Sequence, residues 1–189
     1  MFRFLLFLLW LPFASPPATA DDVLWNRLKS GGHVVLIRHA STVPGLGDPP
    51  GFKLGDCATQ RNLSAAGREE ARRLGAAFRA AAVPVNDVLS SRWCRCIDTA
   101  RLAFGKVTPL PALDSFFDDR STQERQTAAI HSIISGFRGT GNIVMVTHQV
   151  NITALTGKVP AQGEALVVRA DAGGEVELVG RLTPPRGPS

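Results

Sequence analysis

Two of the four histidines in the chain come one polar residue after an apolar run. His39 follows residues 34–37 and Arg38, and His148 follows residues 143–147. Short runs rich in valine and isoleucine predict buried strands. In open α/β sheets, ligand sites form just beyond the carboxyl ends of the strands. We therefore expect both histidines at the same edge of one sheet, facing a common pocket.

An arginine follows a third predicted strand. Residues 85–89 predict that strand and residues 94–104 predict a helix, which places Arg95 in the first turn of the helix. The free N–H groups and the dipole of a helix N-terminus already favour an anion. Arg92, also near the strand end, is the alternative. Because guanidinium groups grip phosphate oxygens and an imidazole can attack phosphorus, these residues predict a pocket for a phosphate dianion.

Three sequence motifs carry a resemblance to a known family. They are the strand that ends in Arg38-His39, the pattern Ser-Ser-x-x-x-Arg-x-x-x-Thr-Ala from Ser90 to Ala100, and the late Val-Thr-His that ends at His148. In this order they resemble the histidine phosphatase (phosphoglycerate mutase-like) superfamily, over about residues 34–153. The family spacing to Thr99-Ala100 favours Arg95 over Arg92. Ala40 stands where the family usually has glycine.

The resemblance implies an α/β fold, a three-layer αβα sandwich with a mainly parallel sheet, and phosphoryl transfer through a phosphohistidine. His39 is then the nucleophile. It must be neutral at the attacking nitrogen, and a hydrogen bond at its other nitrogen would fix the tautomer. Arg38, Arg95 and His148 would hold the nonbridging oxygens and offset their charge. The implied reaction uses no cofactor and no metal.

The long loop over residues 42–61 is rich in glycine and proline and comes soon after His39. A loop of this length is uncommon without a function, so we expect it to form the rim of the pocket. Thr42 and Arg61, at its two ends, are the candidate substrate-binding residues, and Arg61 points toward the rim in the family pattern. A plain connecting loop with a surface arginine is the alternative.

The proton donor is where this sequence departs from the resemblance. Family phosphatases often have a glutamate at the position that Ser115 occupies here, and a serine hydroxyl is no comparable acid near neutral pH. Asp118 or Asp119 could reach the pocket instead, after a Phe116-Phe117 pair that we expect to be buried. The alternative is that both aspartates are solvated turn residues.

The N-terminus has the composition of a signal peptide: Arg3, an apolar stretch over residues 4–11, and an Ala18-Thr19-Ala20 ending. The apolar stretch is too short to span a bilayer. We expect a signal peptide over residues 1–20, a histidine phosphatase domain over 21–182 and a disordered tail over 183–189. An uncleaved anchor is the alternative. The mature protein is then an exported member of the superfamily, periplasmic or secreted, with no stable membrane insertion.

Export places the three cysteines in an oxidising compartment. They form no paired C-x-x-C of the zinc or redox type, so one disulfide and one spare thiol are the simplest expectation. If Cys94 and Cys96, two residues apart, are too close for an unstrained bridge, Cys57 takes part in the disulfide. Cys94 is its preferred partner and Cys96 the alternative. Either bond would tie the loop beside Arg95.

Composition limits the function classes. The 189 residues suggest one domain with a sizeable core, and 20% charged with 44% hydrophobic residues exclude a disordered chain. The formal net charge is +5, but the arginines are scattered rather than clustered with stacking aromatics. We therefore expect a small phosphorylated substrate and no nucleic acid. No oligomeric state is predicted.

Export also favours hydrolysis over a mutase reaction, because glycolytic phosphoglycerates are cytoplasmic. The prediction is an exported phosphomonoesterase that acts through a phosphohistidine on His39. A non-catalytic phosphate-binding protein of the same fold and a mutase-type phosphotransferase are the alternatives. A metallohydrolase with His33, His39 and His148 as ligands is a further class, although no companion carboxylates are evident.

Overall fold

The computed structural model of the protein describes residues 20–183. The strands of this part are β1 (Val34–Arg38), β2 (Val85–Ser90), β3 (Thr108–Pro109), β4 (Asn142–Thr147), β5 (Ala165–Ala170) and β6 (Val176–Leu182). Its α helices are α1 (Ala20–Ser30), α2 (Ala65–Ala80), α3 (Cys94–Phe104), α4 (Gln123–Gly136) and α5 (Gln149–Thr156). Except for Ala20 and Thr183, the predicted signal peptide and tail lie outside the described residues.

The six strands form one mixed sheet in the order β3-β2-β4-β1-β5-β6. The pairs β1–β4, β2–β4 and β2–β3 are parallel, whereas β5 and β6 continue the sheet as an antiparallel hairpin. Arg38 lies opposite Thr147 in the register of β1 and β4. Because these two strands are parallel neighbours, the residues that follow them, His39 and His148, leave the sheet side by side.

Helices cover both faces of the sheet. Val35 and Val144 belong to a buried cluster with residues of α1, α2 and α3, whereas Leu36 and Met145 belong to a cluster with residues of α4 and α5. Strands covered on both faces are apolar at consecutive positions, which explains the unbroken runs of β1 and β4. The predicted three-layer α/β fold with a mainly parallel sheet is confirmed.

The chain after β1 is packed tightly against α2. Ser64 caps this helix, with its hydroxyl accepting from the Gly67 amide at 3.0 Å. A Cβ at Gly67 would lie 1.8 Å from the carbonyl oxygen of Ser41, so only glycine permits this contact. The close approach fixes the start of the loop that follows His39.

Several elements differ in extent from the sequence prediction. The sequence of residues 107–113 predicts a short, proline-interrupted strand at or near a sheet edge, and the structure has only β3 there, at the edge of the sheet, followed by a 3₁₀ turn over Pro111–Leu113. The prolines at 109 and 111 cannot donate to a strand ladder, which explains the shortening. The spacing of Ile130, Ile133, Ile134 and Phe137 predicts a helix over 121–137, and the observed α4 begins later, at Gln123. Within residues 20–183, no helix is both long and apolar enough to cross a bilayer.

Candidate active site

A cavity of about 110 Å³ opens beyond the carboxyl ends of β1 and β4. Polar and charged residues form much of its wall: Arg38, His39, Asp48, Arg61, Arg95, Asp118 and His148. Leu46, Phe117 and Val150 add an apolar part. Six of the predicted site residues therefore line one cavity: His39, His148, Asp118 and the three arginines.

His39 is buried at the end of β1, where its amide donates to the carbonyl of Thr147 at 3.0 Å. Its Nδ1 lies 3.0 Å from the carbonyl oxygen of Ala40. A carbonyl can only accept, so Nδ1 carries the hydrogen and Nε2 keeps its lone pair. Burial, together with the charges of Arg95 and Arg38, lowers the pKa of His39 to about 3. The ring is therefore a neutral imidazole at neutral pH.

His148 follows β4, and its ring centroid lies 5.5 Å from that of His39. Its Nε2 is 2.8 Å from the hydroxyl oxygen of Ser91, which also lies 3.3 Å from a carboxylate oxygen of Asp114. Burial lowers the pKa of His148 well below its ordinary value, and the neighbouring His39 and arginines act in the same direction. Ser91 thus connects the second histidine to a buried carboxylate.

Two arginines of the cavity have a buried Nε without a hydrogen-bond partner. Arg38 is the last residue of β1, and its Nη1 donates to the carbonyl of Pro160 at 2.9 Å. Arg95, 4% exposed, lies in the first turn of α3 as predicted. The Nε of each is buried and unpartnered. Buried donors normally have acceptors, so these guanidinium groups suit an oxyanion with several oxygens.

Asp48, which sequence reasoning missed, forms an ion pair with Arg95 inside the cavity. Its oxygens lie 2.8 and 3.0 Å from Arg95 Nη1, and its side chain is 3% exposed. It also accepts from Trp93 Nε1 and from the Arg61 amide, both at 2.9 Å. Burial alone would raise the pKa of Asp48, but these donors lower it. Its position in a Gly-Asp-Pro-Pro turn gave no sign of such burial.

The rim loop brings one of its two candidate binding residues to the cavity. Arg61 lines the cavity and donates from Nε to the carbonyl of Gly47 at 2.7 Å. Thr42 is not a lining residue; its hydroxyl accepts from Arg61 and, at 3.3 Å, from Gln162 Nε2. The structure therefore places Thr42 as a support for Arg61.

The acidic candidates separate in the structure. Asp118 lines the cavity and is exposed, whereas Asp119 does not line it and caps the amide of Ser121 at 2.9 Å. The expected burial of the phenylalanine pair is wrong for Phe117, which is exposed, and right for Phe116.

Arg92, the alternative to Arg95, points elsewhere. Its Nε donates to Asp114 at 2.7 Å, and it is not among the cavity residues. His33 precedes β1 and His39 follows it, so the five residues of this strand lie between them and place the two histidines about 20 Å apart along the extended chain. The metal site of the metallohydrolase alternative, with His33, His39 and His148 as ligands, is therefore not formed. Among residues 20–183, no group of three or more His, Cys, Asp or Glu side chains is placed to hold a metal ion.

Ala40 replaces the usual glycine without strain. It is absent from the residues with positive φ, and it packs in a small buried cluster with Leu63 and Ala71. Its amide donates to the Thr99 hydroxyl at 3.1 Å. The packing of Ala40 and its hydrogen bond to Thr99 therefore fix the backbone beside His39, although alanine replaces the usual glycine.

A disulfide joins Cys57 to Cys94, the preferred pairing, and Cys96 is a buried free thiol. Cys94 begins α3 and precedes Arg95. The Cys94 amide also donates to the side-chain oxygen of Gln60 at 3.0 Å. The rim loop is thus attached to the helix that carries Arg95 by a covalent bond and a hydrogen bond.

Comparison with known proteins agrees with this geometry. Residues 34–120 match the sequence model of the histidine phosphatase superfamily (branch 1). The match contains Arg38, His39 and Arg95, and His148 lies beyond it. A search of curated protein sequences finds no significant match.

Solved structures show the same fold. The alpha-ribazole phosphatase from Shigella flexneri is 19% identical, with a TM-score of 0.58 over 83% of this chain and 99% of that chain. The protein histidine phosphatase SixA complexed with tungstate is 17% identical, with a TM-score of 0.56 over 80% and 97% of the two chains. The phosphoserine phosphatase from Entamoeba histolytica, with 3-phosphoglyceric acid, is 12% identical, with a TM-score of 0.57 over 80% and 96%. The fold is therefore phosphoglycerate mutase-like.

Proposed function

We propose that the protein belongs to the histidine phosphatase superfamily and hydrolyses a small phosphate monoester through a phosphohistidine on His39. The observation that carries the proposal is the state of His39. Its ring is neutral, its Nδ1 is fixed by the Ala40 carbonyl, and it lines a cavity with three arginines. This combination leaves Nε2 as a nucleophile next to an oxyanion site.

In the first chemical step, Nε2 of His39 forms a bond to phosphorus and the ester oxygen leaves with the bonding electrons. Asp118, the exposed one of the two carboxyl groups that line the cavity, gives that oxygen its proton. In the second step water attacks phosphorus, Asp118 takes a proton from the water, and the N–P bond breaks. Inorganic phosphate leaves, and His39 returns to its neutral form.

The remaining cavity residues hold the phosphoryl oxygens through both steps. Arg38 and Arg95 offer their unpartnered Nε groups to these oxygens. The Ser91 hydroxyl donates its one hydrogen to Asp114 and therefore accepts from Nε2 of His148, so this pair of hydrogen bonds orients the second histidine ring beside His39. Asp48 positions Arg95 by binding its other edge through Nη1.

The site of action in this proposal is outside the cytoplasm. The signal-peptide composition of residues 1–20 and the Cys57–Cys94 disulfide support export, because disulfides persist mainly in oxidising compartments. Export in turn favours water over a glycolytic hydroxyl as the phosphoryl acceptor.

The deciding experiment uses the chain from Asp21, an aryl phosphate, and two readouts: phosphate release and acid-labile phosphoenzyme after rapid quenching. His39→Ala should lose both, with a rate decrease of at least about a thousandfold, because a nucleophile is removed. His131→Ala, on α4 and outside the cavity, is the matched control and should keep both. EDTA should leave the rate unchanged.

Residual activity of a tenth or more in His39→Ala would refute the phosphohistidine mechanism. Phosphoenzyme that forms but transfers only to an added alcohol would identify a phosphotransferase. Tight phosphate binding without turnover of any ester would identify a binding protein.

A further inference from the structure

Exposed apolar side chains stand at the mouth of the cavity. Within residues 20–183, five large hydrophobic side chains are exposed, and two of them, Leu46 and Phe117, line the cavity together with Val150. The other three, Val23, Val43 and Val159, do not line it. Single exposed apolar residues are ordinary on a protein surface, but a group around a ligand cavity marks a binding surface.

The fold fixes Leu46 in its exposed position. The side chain is 86% exposed, and its neighbours Gly45 and Gly47 have φ of 137° and 68°, values that favour glycine. The carbonyl of Gly47 is bound by Arg61, and the next residue, Asp48, is bound by Arg95. Because the chain is anchored directly after it, Leu46 is held at the mouth with no apolar partner of its own.

Phe117 lines the same cavity from another segment of the chain. Phe116 beside it is buried, and the Phe117 amide donates to the Ser115 hydroxyl at 3.2 Å. The two segments come close together, since a Cβ built at Gly47 would lie 3.9 Å from Asp118 Oδ1. Leu46 and Phe117 therefore border a single opening that leads inward to charged residues.

We infer that the substrate is an amphiphilic phosphate monoester whose alcohol is an aliphatic chain. Its phosphate faces Arg38, Arg95 and His39, and the chain lies on Leu46, Phe117 and Val150. The cavity is cationic inside and apolar at the mouth, so it matches a molecule with an anionic head and an apolar tail. On a sugar phosphate, hydroxyl groups that lie against Leu46, Phe117 and Val150 would find no hydrogen-bond partner on those side chains. The hydrolysis of such a substrate rests on the proposed function, whereas the binding of its apolar chain does not depend on it.

The first test measures kcat/KM for ethyl, butyl, hexyl and octyl phosphate below their micellar concentrations. The leaving alcohols differ little in acidity, so the trend reports contact with the chain. We expect kcat/KM to rise about two- to fourfold per methylene, since burying a methylene is worth up to about fourfold in binding. In Leu46→Ser/Phe117→Ser the octyl-to-ethyl ratio should fall toward one.

Val23→Ser is the matched control. Val23 is 47% exposed, the same fraction as Phe117, and it lies on α1, which packs against β6 at the edge of the sheet. This variant should keep the wild-type octyl-to-ethyl ratio. A flat series in the wild-type enzyme, or faster turnover of a hexose phosphate than of hexyl phosphate, would overturn the inference while the phosphatase reaction stands.

The second test measures binding alone, by calorimetry with the matching alkyl phosphonates, whose C–P bond is not hydrolysed. Affinity that rises with chain length, and that loses this dependence in Leu46→Ser/Phe117→Ser, supports an apolar tail site even if no ester is turned over. Affinity that is independent of chain length overturns it. Failure of catalysis and failure of the tail site are thereby separated.

Discussion

At the scale of single residues, the site depends on three groups that regular elements hold in place, His39, His148 and Arg95, and on Asp48, which a loop holds. His39, His148 and Arg95 follow or begin regular elements, so their convergence could be inferred from the sheet alone. Asp48 could not be found in this way. It lies in an irregular loop, and its burial depends on contacts with Arg95 and Trp93 that are distant in the sequence.

A prediction at this scale concerns Asp118 as the acid. Asp118→Asn should slow hydrolysis of alkyl phosphates by about a hundredfold or more, because an alkoxide needs a proton to leave. Phenyl phosphate, with a better leaving group, should slow much less. Steady-state kinetics on both esters gives the answer.

Asp119→Asn is the neighbouring control, since this aspartate caps Ser121 and does not line the cavity. It should change neither rate appreciably. Equal losses on both esters in Asp118→Asn would contradict an acid role for Asp118.

At the scale of elements, the core helices and strands could be predicted, whereas the connections could not. α3 begins and ends where the sequence pattern placed it, because apolar spacing and Gly105 mark it clearly. The stretch 107–113 lies at the sheet edge as its prolines predict, but Pro109 and Pro111 interrupt the ladder so early that only Thr108–Pro109 pairs. The packing of the rim loop depends on side-chain contacts that carry no periodic signal.

A prediction at the element scale concerns the Cys57–Cys94 bond. It closes a separation of 37 residues, for which chain entropy gives about 4 kcal/mol of stability. Cys57→Ala/Cys94→Ala should therefore lower the free energy of unfolding by about 2–4 kcal/mol. It should also lower kcat/KM about tenfold, because Cys94 precedes Arg95. Urea denaturation and steady-state rates measure the two effects.

Reduced wild-type protein is the control and should lose a similar amount of stability. An unchanged urea midpoint in the double variant would show that the bond contributes nothing.

Cys96 should resist alkylation in the native state, since burial raises the pKa of its thiol to about 12.

At the scale of the whole molecule, two buried neutral imidazoles make stability depend on pH. In the unfolded chain they protonate as the pH falls through about 6.5, whereas burial lowers the folded pKa of His39 to about 3 and that of His148 well below its ordinary value. The unfolded state then binds more protons, so stability is full above pH 6.5 and is lost as the pH falls below it.

Between pH 6 and pH 5, each histidine should cost about 1 kcal/mol of stability, or about 2 kcal/mol together. Urea denaturation at half-unit steps of pH measures the slope. His39→Gln should remove about half of it, while His131→Gln, on the surface of α4, should leave it unchanged. A stability that is flat over this window would contradict neutral burial of the two rings.

The central position of β4 also bears on how the molecule assembles. β4 lies between β1 and β2, yet it is the fourth strand in the chain, and Asn142 bonds to the amide of His33, 109 residues earlier. The sheet therefore has no central strand until most of the chain is present. Pairings of such sequence separation slow folding. We therefore expect truncation before Asn142 to leave β1 and β2 without a common partner, so that no shortened N-terminal fragment folds independently.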